Sequence, residues 1–167
     1  MFKINDYVVY GLTGVCQVED IKKGLNEDNP ETEYYVLRPV YSDNITIRVP
    51  VNNTSILIRA ISSKDDAMSL IESMSEIETV WIDNDKQRVN DYKAAIKTGK
   101  TEEWVKIIKT LYMERDARAT SGRKLRKTDE DILNTAEKYL NEEFAVALNL
   151  TPDEVSNYIL QHIGAEA

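Results

Sequence analysis

The spacing of hydrophobic residues along the chain changes its period near residue 60. Ahead of that point, β-branched and aromatic residues form short runs separated by turn residues, a pattern typical of strands. Five strands are predicted, at residues 7–10, 15–21, 33–39, 44–49 and 55–59. Five short strands joined by close turns favour a small β-barrel of the SH3 or Tudor kind.

The fourth predicted strand has the clearest alternation. Ile45, Ile47 and Val49 fall on one side of it, and Arg48 falls on the other. Pro50 cannot donate a hydrogen bond to a neighbouring strand, so it ends the strand or marks the edge of the sheet. An outward arginine at such an edge is weak evidence that a partner strand adds to the sheet.

Beyond residue 62 the hydrophobic period approaches 3.6 residues, which predicts helices. Five are expected, over 63–74 and 85–97 and then starting near residues 101, 128 and 151. The expected capping residues are Ser63, Thr101, Thr128 and Thr151. The apolar stripes are Val89, Tyr92 and Ile96 on the second helix, Trp104, Ile107, Ile108, Leu111 and Tyr112 on the third, Ile132, Leu133, Ala136, Tyr139, Leu140 and Phe144 on the fourth, and Val155, Tyr158, Ile159 and Ile163 on the fifth.

The predicted fold class is therefore α+β. A small Tudor-like or SH3-like β-barrel over residues 1–61 is followed by a compact all-helical domain over residues 62–167.

The composition excludes several classes of protein. Apolar residues make up 42% and charged residues 30% of the 167 positions, which suits a packed core. The single cysteine, Cys16, excludes an intramolecular disulfide, and the single histidine, His162, argues against histidine-rich metal sites. No stretch approaches the roughly 20 apolar residues that span a bilayer. The first residues lack the apolar region of a secretory signal, so a cytoplasmic location is expected.

Catalytic motifs are also missing from the sequence. It contains no Walker glycine loop, no dinucleotide-binding glycine pattern and no metalloprotease pair of histidines. Cys16 is interpreted as a strand residue and His162 as a helix residue, because neither has convergent catalytic partners nearby in sequence. We therefore expect a protein that is not an enzyme and that uses no cofactor, metal or small-molecule substrate.

Charge is distributed in three zones. Residues 1–85 carry 7 Lys and Arg against 15 Asp and Glu, residues 86–127 carry 13 against 5, and residues 128–167 carry 1 against 9. The zones therefore hold −8, +8 and −8, which sum to the net charge of −8. A basic middle between acidic ends indicates a surface that attracts a polyanion, because the local potential steers binding while net charge mainly sets solubility.

The basic zone supplies the candidate DNA-contacting residues. At about 100° per residue, Lys86, Lys93 and Lys97 share one face of the second helix within roughly 40°. A second group of cations precedes the fourth helix. The candidates are Lys86, Arg88, Lys93, Lys97, Arg123, Lys124, Arg126 and Lys127.

Two interpretations of Trp81 remain open on the pattern alone. It lies just ahead of the second helix, where an apolar residue can pack as a staple. It is equally consistent with an indole presented at the surface, where it could wedge against bases in a minor groove. Trp104, by contrast, lies in register with an apolar stripe and is expected in the core.

Taken as an ordered set, these features resemble the CarD/CdnL family of bacterial transcription regulators. The residues that carry the resemblance are 2–10 with Gly14, 34–37, 45–50, Trp81, 92–99, 105–112 and 136–148. The resemblance covers nearly the whole chain.

The resemblance implies a Tudor-like domain, shared with the transcription-repair coupling factor, that binds the β subunit of RNA polymerase. It implies a helical domain that contacts promoter DNA at the upstream edge of the bubble. The family's polymerase-binding arginine falls on Arg48, beside Val49 and Pro50, and its minor-groove tryptophan falls on Trp81.

The chain also departs from the family pattern. Family members usually carry basic residues directly after the tryptophan, whereas here Asp83 and Asp85 follow Trp81. The basic start of the fourth helix is replaced by 129–131, and positive charge is shifted upstream to 123–127. Two hypotheses result: a regulator that binds polymerase and stabilises the open promoter complex through DNA, or a protein–protein adaptor of polymerase that never touches DNA.

Overall fold

A computed structural model describes residues 1–42, 44–79 and 81–164. The chain divides into two compact units, Met1–Ile61 and Ser62–Ala167. The first unit holds the described strands and the second holds the described α-helices, so the predicted α+β class is confirmed. The last three residues of the predicted helical domain, 165–167, lie outside the described residues.

The first unit is built on one antiparallel sheet. Its strands are β1 (Tyr7–Tyr10), β2 (Gly14–Lys22), β3 (Tyr34–Pro39), β4 (Ile47–Pro50) and β5 (Ile58–Ala60). They are ordered β4-β3-β2-β1-β5, and no pairing between β4 and β5 is present among the described residues. The predicted Tudor-like or SH3-like barrel is therefore seen as a five-stranded antiparallel sheet that is not closed by pairing of its two edge strands. β4 and β5 have only four and three residues, which leaves few backbone groups for mutual pairing.

The fourth strand starts later than predicted. Asn44 has a φ of +63°, a left-handed conformation that interrupts extended backbone. Ile45 is consequently 48% exposed rather than directed into the core, whereas Val49 is buried. Arg48 is exposed, as its place in the alternation predicted.

One face of the sheet forms the core of the first unit. Its buried members are Val8, Cys16, Val18, Tyr35, Leu37 and Val49. Burial raises the pKa of the Cys16 thiol to about 11, so the thiol stays protonated at neutral pH. This agrees with the interpretation of Cys16 as a strand residue.

The second unit is a helical bundle. Its helices are α1 (Lys64–Glu72), α2 (Asp85–Lys97), α3 (Thr101–Ala119), α4 (Lys127–Leu148) and α5 (Pro152–Gly164). A 3-10 turn at Met74–Glu76 follows α1. Helix α4 packs against each of the other four helices. The predicted stripes of α3 and α4 are buried, apart from a half-buried Tyr139, and Trp104 is only 3% exposed.

The helix starts separate correct from incorrect capping predictions. At α5, the Thr151 hydroxyl accepts from the Glu154 amide and the Glu154 carboxylate accepts from the Thr151 amide, both at 3.2 Å. This reciprocal pair is the predicted capping box. The prediction for Thr128 is wrong, because α4 begins one residue earlier, at Lys127. Thr101 is likewise the first residue of α3 and not its cap.

Residues 77–79 and 81–84, the connector ahead of α2, form neither helix nor strand and contain Trp81. Asn84 ends the connector by capping α2, its side chain accepting a hydrogen bond from the Gln87 amide at 2.9 Å. The described helices do not include one with the length and apolarity of a transmembrane segment.

Replacing Thr151 with Ala is expected to lower the free energy of unfolding by about 1 kcal/mol, because an orphan amide at the start of α5 loses its acceptor. Thr128→Ala is the matched control, since Thr128 is exposed and caps nothing; its cost should stay below about 0.5 kcal/mol. Urea unfolding of both variants measures the difference. Equal costs would contradict the assignment of the two helix starts.

Candidate functional site

Trp81 is half-buried and lies against arginine side chains. The guanidinium carbon of Arg88 is 4.2 Å from the centre of the Trp81 ring, and that of Arg118 is 5.7 Å away. Both distances are within the range at which a cation is attracted to an aromatic ring. The structure therefore combines the two interpretations of Trp81: part of the indole packs, and part remains accessible.

Arg88 is buried, with only 1% of the residue exposed. Its Nε and Nη2 donate to the two carboxylate oxygens of Asp129 at 2.9 and 2.7 Å, and Asp129 is fully buried. Its Nη1 donates to the carbonyl of Ile82 at 2.9 Å. The hydrogen bond with Asp129 raises the pKa of Arg88, so the guanidinium stays charged. Arg88 was a candidate DNA-contacting residue; because its donors are engaged inside the unit, we remove it from that set.

Asp85 is one of the two acidic residues that follow Trp81. Its negative charge is balanced by two arginines of this site. Its Oδ1 is 2.9 Å from Arg88 Nη2, and its Oδ2 is 2.6 Å from Arg126 Nη1. Arg126 is exposed and is one of the predicted DNA-contacting residues. The ion pairs thus join the start of α2, the start of α4 and the Trp81 ring in one cluster.

Arg118 connects the same region to the loop before α4. Its Nε is 2.9 Å from Glu114 Oε1, and its Nη1 donates to the carbonyl of Lys124 at 3.4 Å. The Arg123 amide donates to the carbonyl of Arg118 at 2.9 Å. These contacts fix the path of the loop while the side chains of Arg123 and Lys124 remain exposed.

The three lysines predicted to share a face of α2 are all exposed. Lys86 stands in the first turn, and Lys93 and Lys97 follow roughly 10 and 16 Å along the helix axis. Within the described part of the chain they form no ion pair. Lys127 is also exposed, but its Nζ is held 2.9 Å from Asp131. The predicted cations therefore differ in availability, from the three α2 lysines to the engaged Lys127 and the buried Arg88.

Lys109 is a buried cation that the sequence interpretation missed. Its Nζ donates to the carbonyl oxygens of Met74, Ser75 and Ile77 at 2.7, 2.9 and 2.8 Å. Lys109 belongs to a stretch of α3 in which every residue from Ile107 to Tyr112 is buried. The sequence signal for this burial is that Ile108 precedes Lys109 and Leu111 follows it two residues later.

The predicted polymerase-contacting residues lie on β4, at one edge of the sheet. Arg48 is exposed, Pro50 is half-buried and Val49 is only 2% exposed. The Val49 side chain belongs to the core, so only its backbone is available to a partner. Since β4 pairs only with β3 among the described residues, its other edge is open to an added strand.

Two family models match this chain. The CarD-like/TRCF RID domain matches residues 2–62, and the CarD C-terminal domain matches residues 69–160. No curated protein matches it significantly. The two matches define a transcription-related protein that interacts with RNA polymerase. The chain belongs to the CarD family, a family of non-enzymatic transcription factors, which confirms the resemblance drawn from the sequence.

Replacing Arg88 with Met is expected to lower the free energy of unfolding by about 3 to 5 kcal/mol, because Asp129 would keep a buried charge without its partner. Lys93→Met, on the same helix, removes an exposed charge and should change stability by less than about 0.5 kcal/mol. Urea unfolding measures both. An Arg88→Met variant as stable as Lys93→Met would show that the pair contributes little to the fold.

Proposed function

We propose that this protein is a non-enzymatic regulator that binds the β subunit of RNA polymerase and stabilises the open promoter complex. The first unit makes the polymerase contact. The second unit contacts the minor groove of promoter DNA at the upstream edge of the bubble. Such a factor acts in the bacterial cytoplasm, where polymerase and nucleoid are found.

The observation that carries the DNA contact is the setting of Trp81. A half-buried indole is supported by two guanidinium groups and is followed by a helix bearing exposed lysines. Architectural proteins insert apolar wedges between base steps in the minor groove and hold the flanking backbone with cations. Trp81 is proposed as the wedge, with Lys86, Lys93 and Lys97 contacting phosphates.

The cations of the loop before α4 complete the proposed DNA surface. Arg123 and Lys124 are exposed, and the loop backbone is held by Arg118, which itself lies near the Trp81 ring. Arg126 and Lys127 are exposed on one side and paired with Asp85 and Asp131 on the other. Contact of either with a phosphate would replace or share an existing ion pair, so we expect them to contribute less than the α2 lysines.

The polymerase contact is proposed at the open edge of β4. An extended segment of the β subunit would add to this edge through backbone hydrogen bonds, with Arg48 fixing its register. Tethering one end of the protein raises its effective concentration at the promoter. Weak DNA contacts then suffice, which reconciles a net charge of −8 with a function on DNA.

The adaptor hypothesis is the second candidate. Asp83, two residues after Trp81, is exposed, and an acidic residue at that place disfavours contact with phosphate. Asp85, however, is 2.9 Å from Arg88 and 2.6 Å from Arg126, so its charge is compensated. This compensation and the positive middle zone favour the DNA-contacting function.

Trp81→Ala is expected to shorten the lifetime of the open promoter complex roughly 5- to 150-fold, the range that corresponds to the stacking of one aromatic side chain on a base. Trp81→Phe should lose less, because an apolar ring remains. Competitor-challenge decay of promoter complexes measures the lifetime, and circular dichroism checks that both variants fold. An unchanged lifetime for Trp81→Ala would remove the indole from the mechanism.

The salt dependence of DNA binding separates the two candidate functions. Each phosphate contact adds about 0.9 to the slope of log affinity against log salt, so changing Lys86, Lys93 and Lys97 together to Gln should reduce the slope by about 3. Lys106→Gln is the matched control on α3, where Lys106 is exposed and 3.6 Å from Glu103. A protein with no salt-dependent affinity for forked promoter DNA would be the adaptor.

Arg48→Ala is expected to weaken binding to the isolated β subunit by about 2 kcal/mol, since an interfacial arginine is a frequent hot spot. Arg38→Ala, which removes an exposed arginine from the adjacent strand β3, should leave the affinity unchanged. Isothermal titration calorimetry measures both dissociation constants. Equal affinities for wild type and Arg48→Ala would place the polymerase contact elsewhere.

A further inference from the structure

The connector that carries Trp81 has no regular structure in its described residues, yet buried cations hold it on both sides of the indole. On the upstream side, the ammonium group of Lys109, on α3, donates to three carbonyl oxygens. Those of Met74 and Ser75 belong to the 3-10 turn, and that of Ile77 begins the connector. Lys109 is only 7% exposed, and because its ammonium group donates three short hydrogen bonds it is a strong anchor for the backbone.

On the downstream side, Arg88 of α2 makes the matching contact. One nitrogen holds the carbonyl of Ile82, the residue after Trp81, while the guanidinium lies 4.2 Å from the ring centre. The other two nitrogens are fixed by the buried carboxylate of Asp129. Arg88 therefore contacts both the backbone beside the indole and the indole itself. Its hydrogen bonds with Asp129 fix the orientation of the guanidinium.

We propose that Arg88 and Lys109 are positioning residues for Trp81, clamping the connector so that the indole is presented in one orientation before DNA arrives. The inference rests on the proposed function, because it concerns how the same tryptophan is made ready. Neither residue contacts DNA in this account. Both act through Trp81, in contrast to the exposed lysines of α2.

The physical reason is preorganisation. A tryptophan on an irregular segment samples several orientations, and binding through one of them is weakened by the fraction of molecules in the others. Fixing the segment removes that loss without adding a contact to the ligand. A guanidinium suits this task better than an ammonium, because its planar fork can meet a carboxylate, a carbonyl and an aromatic ring at the same time.

The test needs variants that remove the clamp without unfolding the protein. Arg88→Met combined with Asp129→Leu replaces the buried ion pair with apolar side chains and leaves no buried charge alone. Arg88→Lys keeps the charge opposite Asp129 but lacks the fork. Lys93→Met is the control for the loss of one positive charge on the same helix, in the fluorescence measurement only, because Lys93 is itself proposed to contact DNA.

Trp81 fluorescence reports its position directly. In a Trp104→Phe background Trp81 is the sole tryptophan, so its emission maximum and its quenching by acrylamide can be measured in the free protein. We expect a red shift and a larger quenching constant for the double variant, for Arg88→Lys and for Lys109→Met, with Lys93→Met unchanged. Cooperative unfolding in urea identifies the variants that are folded.

Wild-type emission and quenching in the folded Arg88→Lys and double variants would overturn the positioning role.

The open-complex lifetime is measured separately. For clamp variants with altered fluorescence we expect a shortened lifetime, approaching that of Trp81→Ala. If Trp81→Ala itself has the wild-type lifetime, the proposed function fails, while the fluorescence data still decide whether Arg88 and Lys109 position the indole.

Discussion

The buried ion pair of Arg88 and Asp129 is the interaction on which the second unit's site depends. Taking two charges out of water costs on the order of several kcal/mol per ion, and only good geometry offsets that cost. Here the fork is bidentate, and two further donors meet Asp85 and the Ile82 carbonyl. Because each partner belongs to a different part of the chain, satisfying this one guanidinium fixes the starts of α2 and α4 and the connector that carries Trp81.

The same arrangement explains how acidic residues can stand beside a tryptophan that is proposed to contact DNA. Asp129 is buried against Arg88, and the half-exposed Asp85 is paired with Arg88 and Arg126, so the two carboxylates add little negative potential to the surface around the indole. The exposed lysines of α2, with Arg123 and Lys124 of the loop before α4, are left as the outward positive charge. The distinction between cations that build the site and cations that face solvent matters more here than the net charge of either unit.

Local patterns predicted much of the fold. The bounds of α2 were correct because Asn84 and Gly99 supply start and stop signals at its two ends. The strands of the predicted barrel were found, but closure of the barrel was not, since closure depends on pairing between distant strands that no local pattern encodes. Asn44 was read as part of a strand, although asparagine adopts the left-handed conformation more readily than most residues.

The residues of the candidate site were largely predicted, but the buried ion pair between two of them was not. Arg88 was grouped with the lysines by charge, whereas its spacing of four and eight residues from Tyr92 and Ile96 places it on the buried stripe of α2. Asp129 precedes Leu133 by four residues in the same way on α4. A charged residue in register with an apolar stripe indicates that a partner of opposite charge is buried beside it. Two such residues of opposite charge on neighbouring helices are therefore predicted to form a buried ion pair.

The central claim is that Trp81 touches promoter DNA while the β4 edge holds polymerase. Photocrosslinking tests it most directly, with a photoreactive phenylalanine in place of Trp81 or of Arg48 in complexes of polymerase and promoter. Position 81 is expected to label DNA at the upstream edge of the bubble, and position 48 is expected to label the β subunit. Labelling of polymerase alone from position 81, with no DNA product, would contradict it.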